Sequence, residues 1–137
     1  MINVIRQKEW YSVAQCEDTP ETLWVFGDNL AGYGTGGQAQ IRKCSNSIGV
    51  PTKVLPSMTS GSFFSDKLEE LDAVSDAIAS IKAEYTAGGY TKLVFPHDGL
   101  GTGLADMYVK SPEVYKRMNY MLYMVFGVDY GISEDTK

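Results

Sequence analysis

Apolar residues are arranged in two ways along this chain. Two short runs are apolar without alternation: Leu23-Trp24-Val25-Phe26, and Leu93-Val94-Phe95 closed by Pro96. A strand with no polar alternation is buried on both faces, as in parallel or mixed sheets covered by helices. The expected strands are Thr22–Phe26 and Thr91–Phe95. Two longer stretches repeat at helical spacing. Leu68, Leu71, Val74, Ile78, Ile81 and Tyr85 form one stripe, with Asp66 as cap, Glu69 three residues on in a capping box, and Gly88-Gly89 as the stop. Val114, Met118, Met121, Leu122, Val125 and Phe126 form the other, opened by Ser111 and Pro112 at N-cap and N1 and ended by Gly127.

The remaining signals are weaker. Ile2, Val4 and Ile5 suit a short edge strand, and Ser12 to Glu21 reads as polar turn chemistry. Residues 37–45 suit a short helix with Ala39, Ile41 and Cys44 inward and Arg42 and Lys43 outward. Residues 48–56 are apolar but split by Pro51 and Pro56, which permits only a short or edge strand. Ser57 to Ser65 reads as a loop carrying Phe63 and Phe64, either a base-stacking lid or a satellite of the core. Val128-Asp129-Tyr130 suits a short strand, and 132–137 reads as a flexible tail.

Each strong strand runs into a glycine-dense loop. The first passes Gly27, Asp28 and Asn29, then Gly32, Gly34, Thr35, Gly36, Gly37 and Gln38. The second is His97-Asp98-Gly99-Leu100-Gly101-Thr102-Gly103. Glycines admit close backbone approach and leave N–H groups free to face an anion. Strand, loop and helix in this order give an α/β sandwich with both loops at carboxyl ends of strands, where such sheets bind ligands. Gly32, Gly34 and Gly37 match G-x-G-x-x-G, but five residues intervene after the strand and no acidic residue follows before Asp66, which argues against a dinucleotide fold. No G-K-[ST] follows either, which excludes a P-loop.

Candidate chemistry gathers in these loops. Asp28 and Asn29 can grip ribose hydroxyls or an adenine amino group, or simply form an Asx turn. Gly34 to Gln38 and Gly99, Gly101, Thr102 and Gly103 can present N–H groups and hydroxyls to a diphosphate, with Arg42 and Lys53 as balancing cations. Asp98, Asp28 and His97 are the candidate acid–base groups.

Bulk properties narrow the classes. The 137 residues suit a single domain, 1–137, and 44% hydrophobic with 21% charged residues is ordinary globular composition. A net charge of -5 makes nucleic acid an unlikely partner, while backbone N–H groups can still bind a small anion locally. No apolar run is long enough to span a bilayer, so no membrane role is expected. Cys16 and Cys44 show no metal-binding spacing and His97 is the sole histidine, so free thiols in a reducing cytoplasm are expected, with no metal and no cofactor.

The blocks VFGDNL, GTGGQAQIR, IGVPTK and GLGTGLA, spread from about Leu23 to Tyr120, resemble a group of phage and bacterial proteins. That group is distantly similar to the macrodomain superfamily. The resemblance implies a three-layer α/β/α sandwich with a mixed sheet that binds ADP-ribose. Asn29 with Gly34 to Gly37 takes the place of the first macrodomain loop, and Pro96 with 99–104 that of the second. A macrodomain subgroup uses a lysine nucleophile with an aspartate in the second loop. Lys53 falls near that lysine, but Thr102-Gly103 fills the aspartate's place. The expected function is binding, with hydrolysis open, of ADP-ribose or a related nucleotide between the loops. As an enzyme it would be an ADP-ribosyl hydrolase or nucleotide phosphoesterase. The alternative is a non-catalytic module that sequesters a nucleotide or contacts a protein, such as a phage product acting on a host partner.

Overall fold

A computed structural model of the chain describes residues 2–132. Four strands, β1 (Val4–Gln7), β2 (Thr22–Asn29), β3 (Ser47–Lys53) and β4 (Lys92–Pro96), form one sheet in the order β1-β4-β2-β3. Every pairing between them is parallel, so the sheet is not mixed. The reason is in the connections: each pair of consecutive strands is joined by a crossover, and none by a hairpin. The fold is α/β, with helices α1 (Val13–Glu17), α2 (Leu68–Ala87), α3 (Met107–Lys110) and α4 (Pro112–Phe126).

The all-apolar strands feed two cores. Leu23, Val25, Leu93 and Phe95 pack with Val74, Ile78 and Ile81 of α2 and Val114, Met118 and Leu122 of α4. Their neighbours Trp24, Phe26 and Val94 point the other way and pack with Tyr11, Cys16 of α1, and Ala39 and Ile41. Strand alternation therefore puts α2 and α4 on one face and the short α1 with the 37–41 segment on the other. The first two crossovers move across the sheet on the α1 face, and the third returns on the α2 face. Reversing both direction and face keeps one hand throughout.

Several elements differ from expectation. The Ser12–Glu21 region holds α1, because the Ser12 side chain accepts from the Gln15 N–H and starts a helix. The strand expected to end at Phe26 continues to Asn29, because Gly27, Asp28 and Asn29 still pair with Val50, Pro51 and Lys53. The helix expected over 37–45 is a single 3-10 turn, Gly37–Ile41. The short or edge strand expected within 48–56 does form, as β3 on the sheet edge, where Pro51 is tolerated inside it. The α2 cap is one residue later than expected: Glu70, not Glu69, accepts from the N–H groups of Lys67 and Ser65. Asp66 turns away at φ 61 and caps α4 instead, accepting from the N–H groups of Glu113 (3.1 Å) and Val114 (3.0 Å). No strand forms at 128–130. There the Tyr130 hydroxyl donates to the Pro96 carbonyl at 2.6 Å. Ile132 is buried, and 133–137 of the expected tail lie outside the described residues.

Candidate functional site

The parallel sheet brings all four strand carboxyl ends to one edge. After β2 the chain leads to the 3-10 turn on one face, and after the adjacent β4 it leads to α3 and α4 on the other. Loops that diverge from neighbouring strands leave a crevice between them. A cavity of about 560 Å³ opens there, lined from every strand end. The two loops nearly touch at its floor, where a Cβ on Gly27 would stand 3.9 Å from the Gly101 amide nitrogen.

Of the residues expected at the site, Asp28, Asn29, Gly34, Gly36, Gly37, Gln38, Lys53, His97, Asp98, Gly101, Thr102 and Gly103 line this cavity; Thr35, Arg42 and Gly99 do not. In the first loop, the Asn29 side chain ties the turn together: it accepts from the Gly32 N–H at 3.0 Å and donates to the Tyr33 carbonyl at 2.8 Å. The Gln38 side chain accepts from the Gly27 N–H at 2.8 Å, fixing the start of the 3-10 turn over the end of β2. Arg42 grips Asp28 with both terminal nitrogens, Nη1 to Oδ2 at 2.9 Å and Nη2 to Oδ1. Its Nε donates to the Gly34 carbonyl at 2.8 Å and Nη2 also reaches the Tyr33 carbonyl. Asp28 further accepts from the Asn29 N–H at 2.7 Å. Both charged groups, about five-sixths covered, hold the glycine loop in shape.

With the loop held this way, the N–H groups of Thr35 and Gly36 donate to no other described residue, and those of Gly37 and Gln38 open a 3-10 turn that cannot use them. In the second loop, Gly99 N–H bonds back to the Pro96 carbonyl and the Gly101 carbonyl accepts from Met107 N–H at 3.0 Å. Gly101 (φ 73) is required here, since a Cβ would overlap Met107. The N–H groups of Thr102, Gly103 and Leu104 find no partner among the described residues. Two sets of free donors thus border one crevice.

Lys53 ends β3 almost fully buried. Its Nζ donates to the Ser57 carbonyl at 2.7 Å and lies 4.6 Å from the centre of the Phe63 ring, which Lys110 also approaches. Burial holds its pKa below the usual lysine value. Phe63 therefore packs under two cations, and Phe64 is a core residue. His97 Nδ1 pairs with Asp98 Oδ1 at 3.0 Å, with Asp98 almost wholly in water. The Arg6 guanidinium donates to the His97 carbonyl at 2.6 Å and positions that backbone.

A family model matches residues 6–121 of the chain. The chain belongs to the DUF7831 family, a family of unknown function. No curated protein and no solved structure gives a match.

The DUF7831 cavity also contains residues that sequence reading passed over. Gln7 at the end of β1 and Lys8, Glu9 and Trp10 after it line the cavity, with Tyr33 and Leu104 from the two loops. The one available signal was Trp10-Tyr11, three residues past the end of the first apolar strand. Among the described residues no group of three His, Cys, Asp or Glu side chains could hold a metal ion, and no helix is long and apolar enough to cross a membrane.

Proposed function

We propose that this DUF7831 protein binds ADP-ribose or a related nucleotide in the crevice between its glycine loops. The observation that carries the reading is the pair of unpartnered N–H arrays, Gly36 to Gln38 and Thr102 to Leu104, bordering one cavity at the carboxyl edge of the sheet. Such arrays suit a diphosphate, and Lys53 adds a cation at one end. Helical cover on both sheet faces agrees with a three-layer, macrodomain-like sandwich. The free thiols Cys16 and Cys44 suit a reducing cytoplasm.

Binding without turnover is favoured over hydrolysis by the state of Asp28, whose carboxylate is taken up by Arg42 and the Asn29 N–H. If hydrolysis occurs, the His97–Asp98 pair is the acid–base candidate, because both side chains reach solvent at the cavity mouth. A host protein carrying ADP-ribose would be the corresponding partner.

Calorimetry and thermal shift with ADP-ribose, ADP, NAD and AMP test the reading. A ligand at a hundred times its Kd adds about 2.7 kcal/mol to stability. Binding abolished by Gly36→Glu places the ligand in the first loop. Absence of binding across the panel rejects the proposal and leaves a protein-interaction module. Product formed on long incubation, and lost in Asp98→Asn, selects hydrolysis over sequestration.

A further inference from the structure

Trp10 is the most exposed large apolar side chain among the described residues, at 81%, and it lines the cavity. Its backbone is held from both sides. Just before it, β1 ends at Gln7, in register with Pro96 at the mouth of the second loop. Just after it, Tyr11 is buried at 3% exposure, with its hydroxyl donating to the Val25 carbonyl at 2.8 Å and its ring meeting Trp24 edge-on at 5.1 Å. Ser12 then caps α1. The indole is thus presented to the cavity by an ordered backbone, with no described aromatic ring stacked on it. A large apolar surface kept in water at the wall of a crevice marks a binding contact.

We propose that Trp10 is the stacking platform for the base of a nucleoside diphosphate whose phosphates lie on the loop N–H groups. This rests on the nucleotide reading of the cavity. The nearby Gln7 amide is already paired with Gln15 in both directions, at 2.9 and 3.0 Å, and with the Glu9 carbonyl. At this end the indole offers the base a face to stack on, and stacking tolerates any base. The occupant is a nucleoside diphosphate selected for its phosphates, with little discrimination between adenine and guanine.

The chain provides its own reporter, since its two tryptophans are Trp10, in solvent, and Trp24, buried at 2%. Acrylamide should quench Trp10 and spare Trp24, and saturating ADP or GDP should protect Trp10 alike. Trp10→Ala should weaken ADP and GDP by about tenfold or more, while pyrophosphate affinity moves less than about twofold and Tm is retained. Trp10→Phe should recover most of the affinity. ADP binding by calorimetry that leaves Trp10 open to acrylamide, or that Trp10→Ala leaves unchanged, overturns the platform but not the nucleotide reading. Preference for ADP over GDP beyond about tenfold overturns face-only recognition. Failure of ADP, GDP and pyrophosphate all to bind overturns the nucleotide reading, and the platform with it.

Discussion

Arg42 and Asp28, fourteen residues apart, are joined by two hydrogen bonds across the base of the first glycine loop. The pair fixes the carbonyls of Tyr33 and Gly34 on one side and the end of β2 on the other. A planar, fork-shaped donor is needed for that combination, because a lysine ammonium, with three N–H groups, cannot meet two carboxylate oxygens and two carbonyls at once.

Arg42→Ala should therefore cost about 2 kcal/mol in urea unfolding, at the level of charged hydrogen bonds lost from a largely buried site. Arg42→Lys should recover less than half. A double-mutant cycle with Asp28→Ala should show coupling, and additivity would exclude the clamp.

Gly49 faces the same pair. A Cβ there would stand 2.7 Å from Asp28 Oδ2 and 2.8 Å from Asp28 Cβ. Gly49→Ala should destabilise by about 1–3 kcal/mol through overpacking. Gly36 differs: nothing lies within 4 Å of an added Cβ and its φ is -80. Gly36→Ala should leave Tm unchanged and weaken ADP, read by parallel thermal and calorimetric measurements.

Asp66 accepts from two α4 N–H groups while holding φ 61. Asp66→Ala loses the cap and keeps the strain, and should cost about 1–2 kcal/mol. Asp66→Gly removes the strain as well and should cost less than Ala, as measured by chemical denaturation.

Lys53 carries a pKa lowered by burial. Between its folded value and the unfolded 10.5 the unfolded chain binds more protons, so this residue makes stability rise with pH through that window. Below the folded value the full desolvation penalty stands. Lys53→Met should remove the alkaline rise, seen by comparing urea midpoints of the two proteins from pH 7 to 10.5.

Cys16 is fully buried and its thiol is pushed up to about 12, chiefly by burial with Cys44 beside it. In native protein at pH 8 a disulfide reagent should titrate Cys44 alone, and both thiols only in denaturant. Two native equivalents would refute the buried placement.

Much of the architecture was legible in residues 22–29, 68–87, 92–96 and 112–126, because an all-apolar run or a 3.6-residue stripe declares its own burial. Boundaries were less so. Phe26 looked like a strand end, yet β2 pairs on to Asn29 because β3 lies beside it, and Asp66 looked like the α2 cap although its carboxylate serves α4. Arg42 read as a solvated helix face, since nothing local signals a carboxylate fourteen residues away.

Trp10 shows the same limit at the site. An aromatic pair after the first apolar strand was the whole local signal, and only the parallel pairing of β1 with β4 brings residue 7 beside residue 96 and so Trp10 to the cavity. Local pattern determined which segments would be strands and helices, and that two glycine loops would follow buried strands. The partners of Asp28, Asp66 and Lys53, the all-parallel order β1-β4-β2-β3 and the assembly of one cavity from four strand ends were decided by the tertiary structure. Those depend on contacts between residues far apart in the chain, and no local propensity encodes them.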